Sequence, residues 1–551
     1  MTEKVVCNMF IVSEDQRKCC MGKKFGLKIM LLGFLLFSFI GITAVNKQSS
    51  FSEYAVNGEE LEDIKTGRSE SGESLLRVLN FNGNDLFYEP DMQTFYYSLV
   101  DGDTSVYDPS VIFETTEDSV HLAIGAESIT EERISSNTAI TIVAYNEDSF
   151  SQYSLKCTTL PLMNITCSEE ITDDKTPIKI HLFDNRKDCT VRDTYSDGVI
   201  HLRGASTKHF PKKGYRISLT KDKKNGNTVS NKCNLLDMRN DDDWLLYAAY
   251  NDQEKIRHVF STNLWKYSCA TDNSLGLDNG MEYKYIELFI NNEYYGLYAL
   301  GYPIDEKQLD IKKNSDTEFL YKKVDWNSES NIAVESSEPV EGYVTKSESP
   351  NAWIPLRSYY SLINSGIASD NAVLYERIDI DNAIDIYLFY NFIQAADNVI
   401  PGAIKNMMIA AKNQNSSYKM IYAPWDMDIS WGNDYEDSVM YPYAIPPSQN
   451  WFMEVGGIAP LIAANDPDIE DLIQQKYRNL RDTVWSREMI NSFLDQYEDD
   501  IFDSGAYLRD MERWPDGLYE DPEVKLSVFR EYVMKRLSYV DSDYGYTECK
   551  G

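Results

Sequence analysis

Basic residues are the scarce class in this sequence: 53 Lys and Arg stand against 88 Asp and Glu, a formal charge of −35. Polyanion binding needs a basic face, so a nucleic-acid partner is excluded. The acids are spread along the chain and read as a source of solubility and of affinity for cations or basic partners. Histidine is scarcer still, with five residues, and no CxxC pair or Cys/His cluster follows Val45. Those absences exclude a zinc site. Neither GxGxxG nor GxxxxGKS/T occurs, so no Rossmann or P-loop nucleotide site is supported. Internal repeats are missing too.

Long apolar runs are absent with one exception. "IMLLGFLLFSFIGITAV", Ile29 to Val45, follows Arg17, Lys18, Lys23, Lys24 and Lys28. This fits a bilayer-spanning helix or the apolar region of a signal sequence. The basic flank would keep residues 1–28 in the cytoplasm. "ITA" at Ala44 is a weak cleavage candidate. The expectation is an uncleaved signal anchor over 29–45 in a single-pass cell-membrane protein with its main domains outside the cytoplasm. Cleavage and secretion are the alternative. Cys7, Cys19 and Cys20 precede this run; Cys157, Cys167, Cys189, Cys233, Cys269 and Cys549 follow it and permit up to three disulfides.

What is present is the composition of a folded protein, 43% hydrophobic and 13% aromatic over 551 residues. That length suggests roughly two to four domains. Residues 46–74 are polar, without a clear period, and read as a linker. From 75 to 160, short alternating runs such as "TFYYSLVDGD" and "TAITIVAYNED" are separated by turn residues, which predicts an all-β sandwich. "FYEPDMQTFYYSLV" and "SQYSLKC" resemble the turn and strand pattern of cadherin-like modules, and that resemblance implies a spacer. From 161 to 545 strands come first and helices later, an α+β texture. "GVIHLRG" and "YRISL" alternate. "NDQEKIRHVFSTNLWKY" has a helical stripe capped at Asn251 or Asp252. "YKYIELFINNEYYGLYAL" reads as a hairpin across Asn291 and Asn292. A helix is expected over 381–396, followed by the strands "IKNMMIAA" and "YKMIYAPWDMDI". "DDDW", Asp241 to Asp243, reads as a solvated run leading a helix.

The chemistry concentrates in "APWDMDISWG". On a strand end, Asp426 and Asp428 would share one face while Trp425 and Met427 take the other. Two carboxylates that close repel unless a cation, a proton or a basic group lies between them. Mg²⁺ accepts one or two carboxylates and leaves positions for phosphate oxygens. An exposed turn with Asp side chains bonded to local N–H groups is the competing reading. Upstream, "QAADNVIPGAIKN" places Asp397 at a helix end and Asn406 before a strand. An acid, an asparagine and a second acid in that order serve phosphoryl transfer, the first holding the acceptor hydroxyl and the others the metal. "RGASTKHFPKKGYRISL" gathers Arg203, Lys208, Lys212, Lys213 and Arg216, which invites an anion or is a solvated loop.

Five blocks in order, "RGASTKHFPKKGYRISL", "LLYAAYNDQEKIRHVFSTNLW", "YIELFINNEYYGLYAL", "ADNVIPGAIKNMMIA" and "IYAPWDMDISWG", resemble the CotH kinase family of atypical kinases. The resemblance implies an α+β, protein-kinase-like domain that transfers the γ-phosphate of ATP to Ser or Thr of a partner protein with Mg²⁺ or Mn²⁺, Ca²⁺ being a further option. It implies Asp397 as the catalytic acid, Asn406, Asp426 and Asp428 as metal ligands, and Arg203, Lys212 and Lys213 in a cofactor-binding block. Lys322 is the choice for the ATP lysine, with Lys312 and Lys313 as rivals. A catalytically inactive scaffold or adhesion protein, its acids holding a structural cation, is the alternative. Two departures from the family pattern stand out. The Asp397–Asn406 loop is longer, and Gly301 and Tyr302 stand where the family often has an acid, leaving Asp305 or Glu306 as substitutes.

Overall fold

The computed structural model describes residues 49–222, 228–326, 338–364, 371–400, 403–414, 417–433, 442–445, 461–462 and 466–548. The run from Ile29 to Val45 lies outside them. Among the described residues no helix is long and apolar enough to cross a membrane. The membrane anchor expected from sequence, with the single-pass localisation and the membrane partner drawn from it, is therefore corrected: the described fold has no spanning helix. The five described cysteines are free, so none of the disulfides that the sequence permits joins them.

Residues 49–158 form two sheets around one core. Ser49–Ser50, Ser110–Thr115, Leu76–Phe81 and Asn84–Asp85 make the first. Phe87–Glu89, Thr94–Ser98, Ser149–Thr158, Ile140–Tyr145 and His121–Ile124 make the second, with Ser69–Glu70 alongside. Phe51, Leu79, Phe81, Phe95, Tyr97, Phe113 and Ile142 fill the space between them. Residues 49–74, polar enough to read as a linker, are folded into this unit. Ser49 pairs with Val111, Phe51 is fully buried, and the helix Gly58–Lys65 is capped by the Asn57 side chain.

The next unit is a barrel. Its strands are β1 (Leu162–Thr166), β2 (Thr176–Phe183), β3 (Asp193–Arg203), β4 (Gly214–Asp222), β5 (Asp243–Tyr247), β6 (Tyr283–Ile290) and β7 (Glu293–Gly301). Pairing runs β3-β2-β1-β6-β7-β5-β4, and β4 returns to β3, which closes the ring and leaves no edge between them. Ile180, Ile200, Ile217, Trp244, Leu246, Ile286 and Leu300 fill the interior. Alternate residues of β5 to β7 point outward: Leu245, Tyr247, Tyr283, Tyr285, Leu297 and Ala299 join the largest core instead. The β6–β7 hairpin turns at Asn291 and Asn292, both at positive φ, as read from the sequence. The acid run does not lead a helix. Asp243 opens β5, and Asp241 takes a hydrogen bond from Lys307.

Outside the barrel, α1 (Arg257–Ser268) packs between its wall and a second sheet. That sheet comprises β8 (Phe319–Lys323), β9 (Tyr343–Thr345), β10 (Met407–Gln414) and β11 (Ser417–Pro424), in the order β9-β8-β10-β11. Helix α2 (Ile380–Ile393) is buried from Asn382 onward, which matches apolar residues spread around all its faces rather than along one stripe. It stops at Gln394, whose left-handed backbone ends it short of Ala396. Four later helices, α3 (Pro467–Arg481), α4 (Arg487–Glu498), α5 (Ala506–Arg513) and α6 (Ser527–Asp543), complete this α+β region.

The N-terminal sheets are joined to the barrel by buried contacts. Tyr96 stacks on Tyr294 at 5.5 Å and meets Phe289 edge-on at 4.9 Å, with Leu162 and Phe183 beside them. Both faces of Thr94–Ser98 are therefore covered. Arg509 of α5 reaches the same seam. Its guanidinium donates to both carboxylate oxygens of Glu287 at 2.8 and 2.6 Å, to the Cys157 carbonyl and to Asn137 Oδ1. A freely jointed spacer does not describe this arrangement.

Candidate active site

Three chain segments meet where β10 begins and β11 ends. Asn406 precedes β10 at a φ of 52°. Its N–H donates to the Lys323 carbonyl of β8 at 3.1 Å, and its carbonyl accepts the Trp425 N–H at 3.1 Å. The loop after α2 is fastened to that point by Asn398, which is fully buried. The Asn398 side-chain amide donates to the carbonyls of Asn406, at 2.9 Å, and Trp425, at 2.8 Å. The Asn398 carbonyl accepts the Lys405 N–H at 2.9 Å. The extra length of the Asp397–Asn406 loop is taken up above this closure, where Val399 pairs with Ile404. Pro401 and Gly402 lie outside the described residues. As a result Asp397 meets Asn406 directly: Asn406 Nδ2 donates to Asp397 Oδ2 at 2.6 Å. Lys405 Nζ is 3.4 Å from the other carboxylate oxygen.

Asp426 departs from the strand geometry expected of it. β11 ends at Pro424, and Asp426 has a φ of 57°, a left-handed conformation that Asp tolerates better than most residues. Simple alternation therefore fails here, and the two acids differ in burial: Asp426 is half-buried, Asp428 buried. Asp428 Oδ2 accepts a hydrogen bond from Asn251 Nδ2 at 3.2 Å. The carboxylates still feel one another. Burial first, then the charge of Asp426, pushes the Asp428 carboxyl up to about 7, against the Asn251 bond that lowers it. Burial likewise raises Asp397 to about 6; Lys405 opposes the shift and Asp426 adds to it.

Cations surround the acids. The Arg203 guanidinium and the Lys322 ammonium both lie over the Trp425 ring, 4.9 and 4.5 Å from its centre. Burial lowers the pKa of Lys322, Asp426 opposes that, and Arg203, Arg216 and Lys405 push it further down. Lys322 is thus at the cluster, whereas its rivals Lys312 and Lys313 are exposed. Lys212 and Lys213 have other partners. Lys212 is buried against Asp510 at 2.7 Å and the Leu297 carbonyl at 2.6 Å. Lys213 Nζ donates to the Lys208 carbonyl. Asp305 faces Arg239 and Lys307, and Glu306 faces Lys346.

Sequence reading did not single out Asn398, Lys405, His258 or Asn251 as part of this cluster. Asn398 and Lys405 are sequence neighbours of Asp397 and Asn406, which was the available signal. Asn251 and His258 come from the loop before α1 and its first turn, and their partners at Asp428 and Met427 are far along the chain. Helix α1 itself begins later than expected. Asp252 does not cap at its own position; its carboxylate accepts the Arg257 N–H at 2.6 Å, and residues 251–255 form a loop.

Among the described residues no group of three or more His, Cys, Asp or Glu side chains could hold a metal ion. The donors that do gather are two carboxylates and the Asn406 amide. That set suits Mg²⁺ or Mn²⁺, which share few protein oxygens with phosphate and water, better than Ca²⁺ with its six to eight oxygen ligands. The like-charge strain on Asp428 is the feature a cation would relieve.

A closed barrel and a second sheet, an α+β arrangement, carry an acid–asparagine pair close to further acids and to two cations over one ring. The CotH kinase protein family model matches residues 200–540, more than half of the chain, and the chain belongs to that family. The match does not reach the N-terminal sheets, so the cadherin-like identity expected for them has no support from it. Comparison with curated proteins gave no match.

Proposed function

We propose that this protein is a phosphotransferase that moves the γ-phosphate of ATP to Ser or Thr hydroxyls of a partner protein. The observation that carries the reading is the 2.6 Å contact between Asp397 and Asn406, held beside Asp426 and Asp428. Asp397 takes the proton of the acceptor hydroxyl as its oxygen attacks the γ-phosphorus and the bond to the ADP oxygen breaks. A carboxyl raised to about 6 is a stronger base than an ordinary one and is still ionised at neutral pH. Asn406, Asp426 and Asp428 would hold Mg²⁺ or Mn²⁺, which would neutralise charge on the phosphate oxygens. Arg203 and Lys322 face the remaining phosphate charge, and their stacking on Trp425 fixes them in place.

The test is transfer of label from γ-labelled ATP to a basic, Ser-rich acceptor protein with Mg²⁺ or Mn²⁺, alongside Asp397→Asn and Asp426→Ala. Transfer lost in both variants supports the assignment. Absence of transfer together with absence of ATP binding by calorimetry refutes it and leaves a non-catalytic scaffold of kinase-like shape. A mass increment of AMP on the acceptor would mean that another part of the nucleotide is transferred.

A further inference from the structure

The left-handed turn at Asp426 is held from one side by a histidine that the proposed chemistry does not use. The Met427 N–H, next in the chain, donates to Nδ1 of His258 at 3.2 Å. Met427 is fully buried, and so is the His258 ring to within 1%. His258 lies in the first turn of α1, flanked by Tyr247 at 4.4 Å and Tyr283 at 5.1 Å between ring centres. Its other nitrogen, Nε2, is buried with no hydrogen-bond partner. Asp426, Arg203 and Asp252 act on the ring only through their charge, so the Met427 bond is the contact that a phenyl ring filling the same aromatic slot would lose. One turn further along α1, Ser261 Oγ accepts the Trp431 indole N–H at 2.9 Å and meets Ser430 Oγ at 3.2 Å. The far end of the segment is thus tied to the same helix. The C-terminal end of α2 supplies a second tie, where the Ile393 carbonyl accepts the Trp431 N–H at 2.7 Å.

We infer that His258 is a positioning residue: by accepting the Met427 N–H it fixes the backbone turn that aims Asp426, and so sets the affinity of the acid cluster for its divalent cation. The inference rests on the metal-holding role proposed for Asp426. The distribution of bonds supports it. Residues 429–431 have several ties to α1 and α2, whereas His258 is the acceptor for the amide that directly follows the strained residue. A left-handed Asp reverts to an extended conformation unless its surroundings hold it. The ring acts through Met427 and touches no reacting atom in this scheme.

Two substitutions separate the bond from the packing. His258→Phe keeps the ring between Tyr247 and Tyr283 and removes the acceptor. His258→Asn places an amide oxygen near the position of Nδ1 and restores an acceptor with a smaller side chain. Two readouts are made on the full chain. The first is amide hydrogen exchange of a peptide spanning 425–431, which needs no activity. The second is the Mn²⁺ concentration giving half-maximal label transfer, with the KM for ATP measured at saturating Mn²⁺. His258→Phe is expected to speed exchange at least tenfold and to raise the half-saturating Mn²⁺ about tenfold, while the KM for ATP changes less than threefold. His258→Asn is expected to recover most of both effects. Unchanged exchange in His258→Phe, or equal shifts in the two variants, would overturn the inference by reducing His258 to a packing residue. A wild-type protein that transfers nothing but shows the exchange difference would sink the phosphotransferase reading and leave the turn-holding role standing.

Discussion

Arg509 offers the sharpest test of how the N-terminal sheets and the barrel are joined. The Arg509 side chain and the Glu287 side chain it grips are about 1% and 0% exposed, and the pairing is bidentate. Replacing Arg509 by Met leaves a carboxylate buried without a counter-charge, a loss of roughly 3–5 kcal/mol. The carbonyls of Cys157 and Ser504 lose a donor as well, which adds about 1 kcal/mol for each that water does not reach. Against a total stability of about 5–15 kcal/mol that is a large fraction. The double variant Arg509→Met/Glu287→Gln removes both charges, so it is expected to recover roughly 2–3 kcal/mol of the single loss. Equilibrium urea unfolding of wild type, both singles and the double measures the coupling. Limited proteolysis within residues 49–158 reports whether the seam opens first. A single variant that loses less than about 1 kcal/mol would refute the reasoning, as would a double no more stable than Arg509→Met.

Four further outcomes are expected. Asn398→Ala unties the loop from Asn406 and Trp425, and a misplacement of about 1 Å would lower label transfer up to roughly 100-fold with ATP binding retained. Lys322→Met would remove the phosphate contact proposed for this residue and should raise the KM for ATP about tenfold or more, whereas Lys312→Met should not move it. As the proposed base, Asp397 must be ionised to act, and with its carboxyl raised to about 6 transfer should fall about tenfold per pH unit below that value and level off above it. Folding favours the neutral forms of Asp397 and Asp428, whose pKa values are raised from an ordinary 3.8 to about 6 and about 7. Their contribution to stability is complete below about pH 4 and is lost as the pH rises through 6 to 7. Asp428→Asn should accordingly raise the Tm of the metal-free protein at pH 7.5 and not at pH 4, and should weaken the stabilisation that Mn²⁺ gives the wild type.

That Asp397 and Asn406 would lie close to Asp426 and Asp428 could be read from residue order alone. Asp397, Asn406, Asp426 and Asp428 stand in segments whose chemistry is local: an acid after a helix, an asparagine before a strand, two acids at a strand's end. Lys322 stands on a strand, as expected, and over the Trp425 ring. The failures share a cause. Lys212 looked like an anion ligand because it sits in a basic run, but its partner Asp510 is 298 residues away. The polarity of residues 49–74 concealed Phe51, one buried ring that anchors the segment. Period-two alternation placed both acids on one face because it assumes an extended chain, and Asp426 is not extended. The barrel's closure depends on β3 pairing with β4 as well as β2, a register that no stretch of sequence states.

Asn398 closes a neck. Below it, the Asp397 carboxylate and the Asn406 amide are set by backbone and side-chain bonds; above it, the Val399–Ile404 ladder begins a separate hairpin. A chain clamped at that point can lengthen, shorten or change its tip without moving the pair beneath. Variation in the tip is then mechanically insulated from the geometry of the Asp397–Asn406 pair.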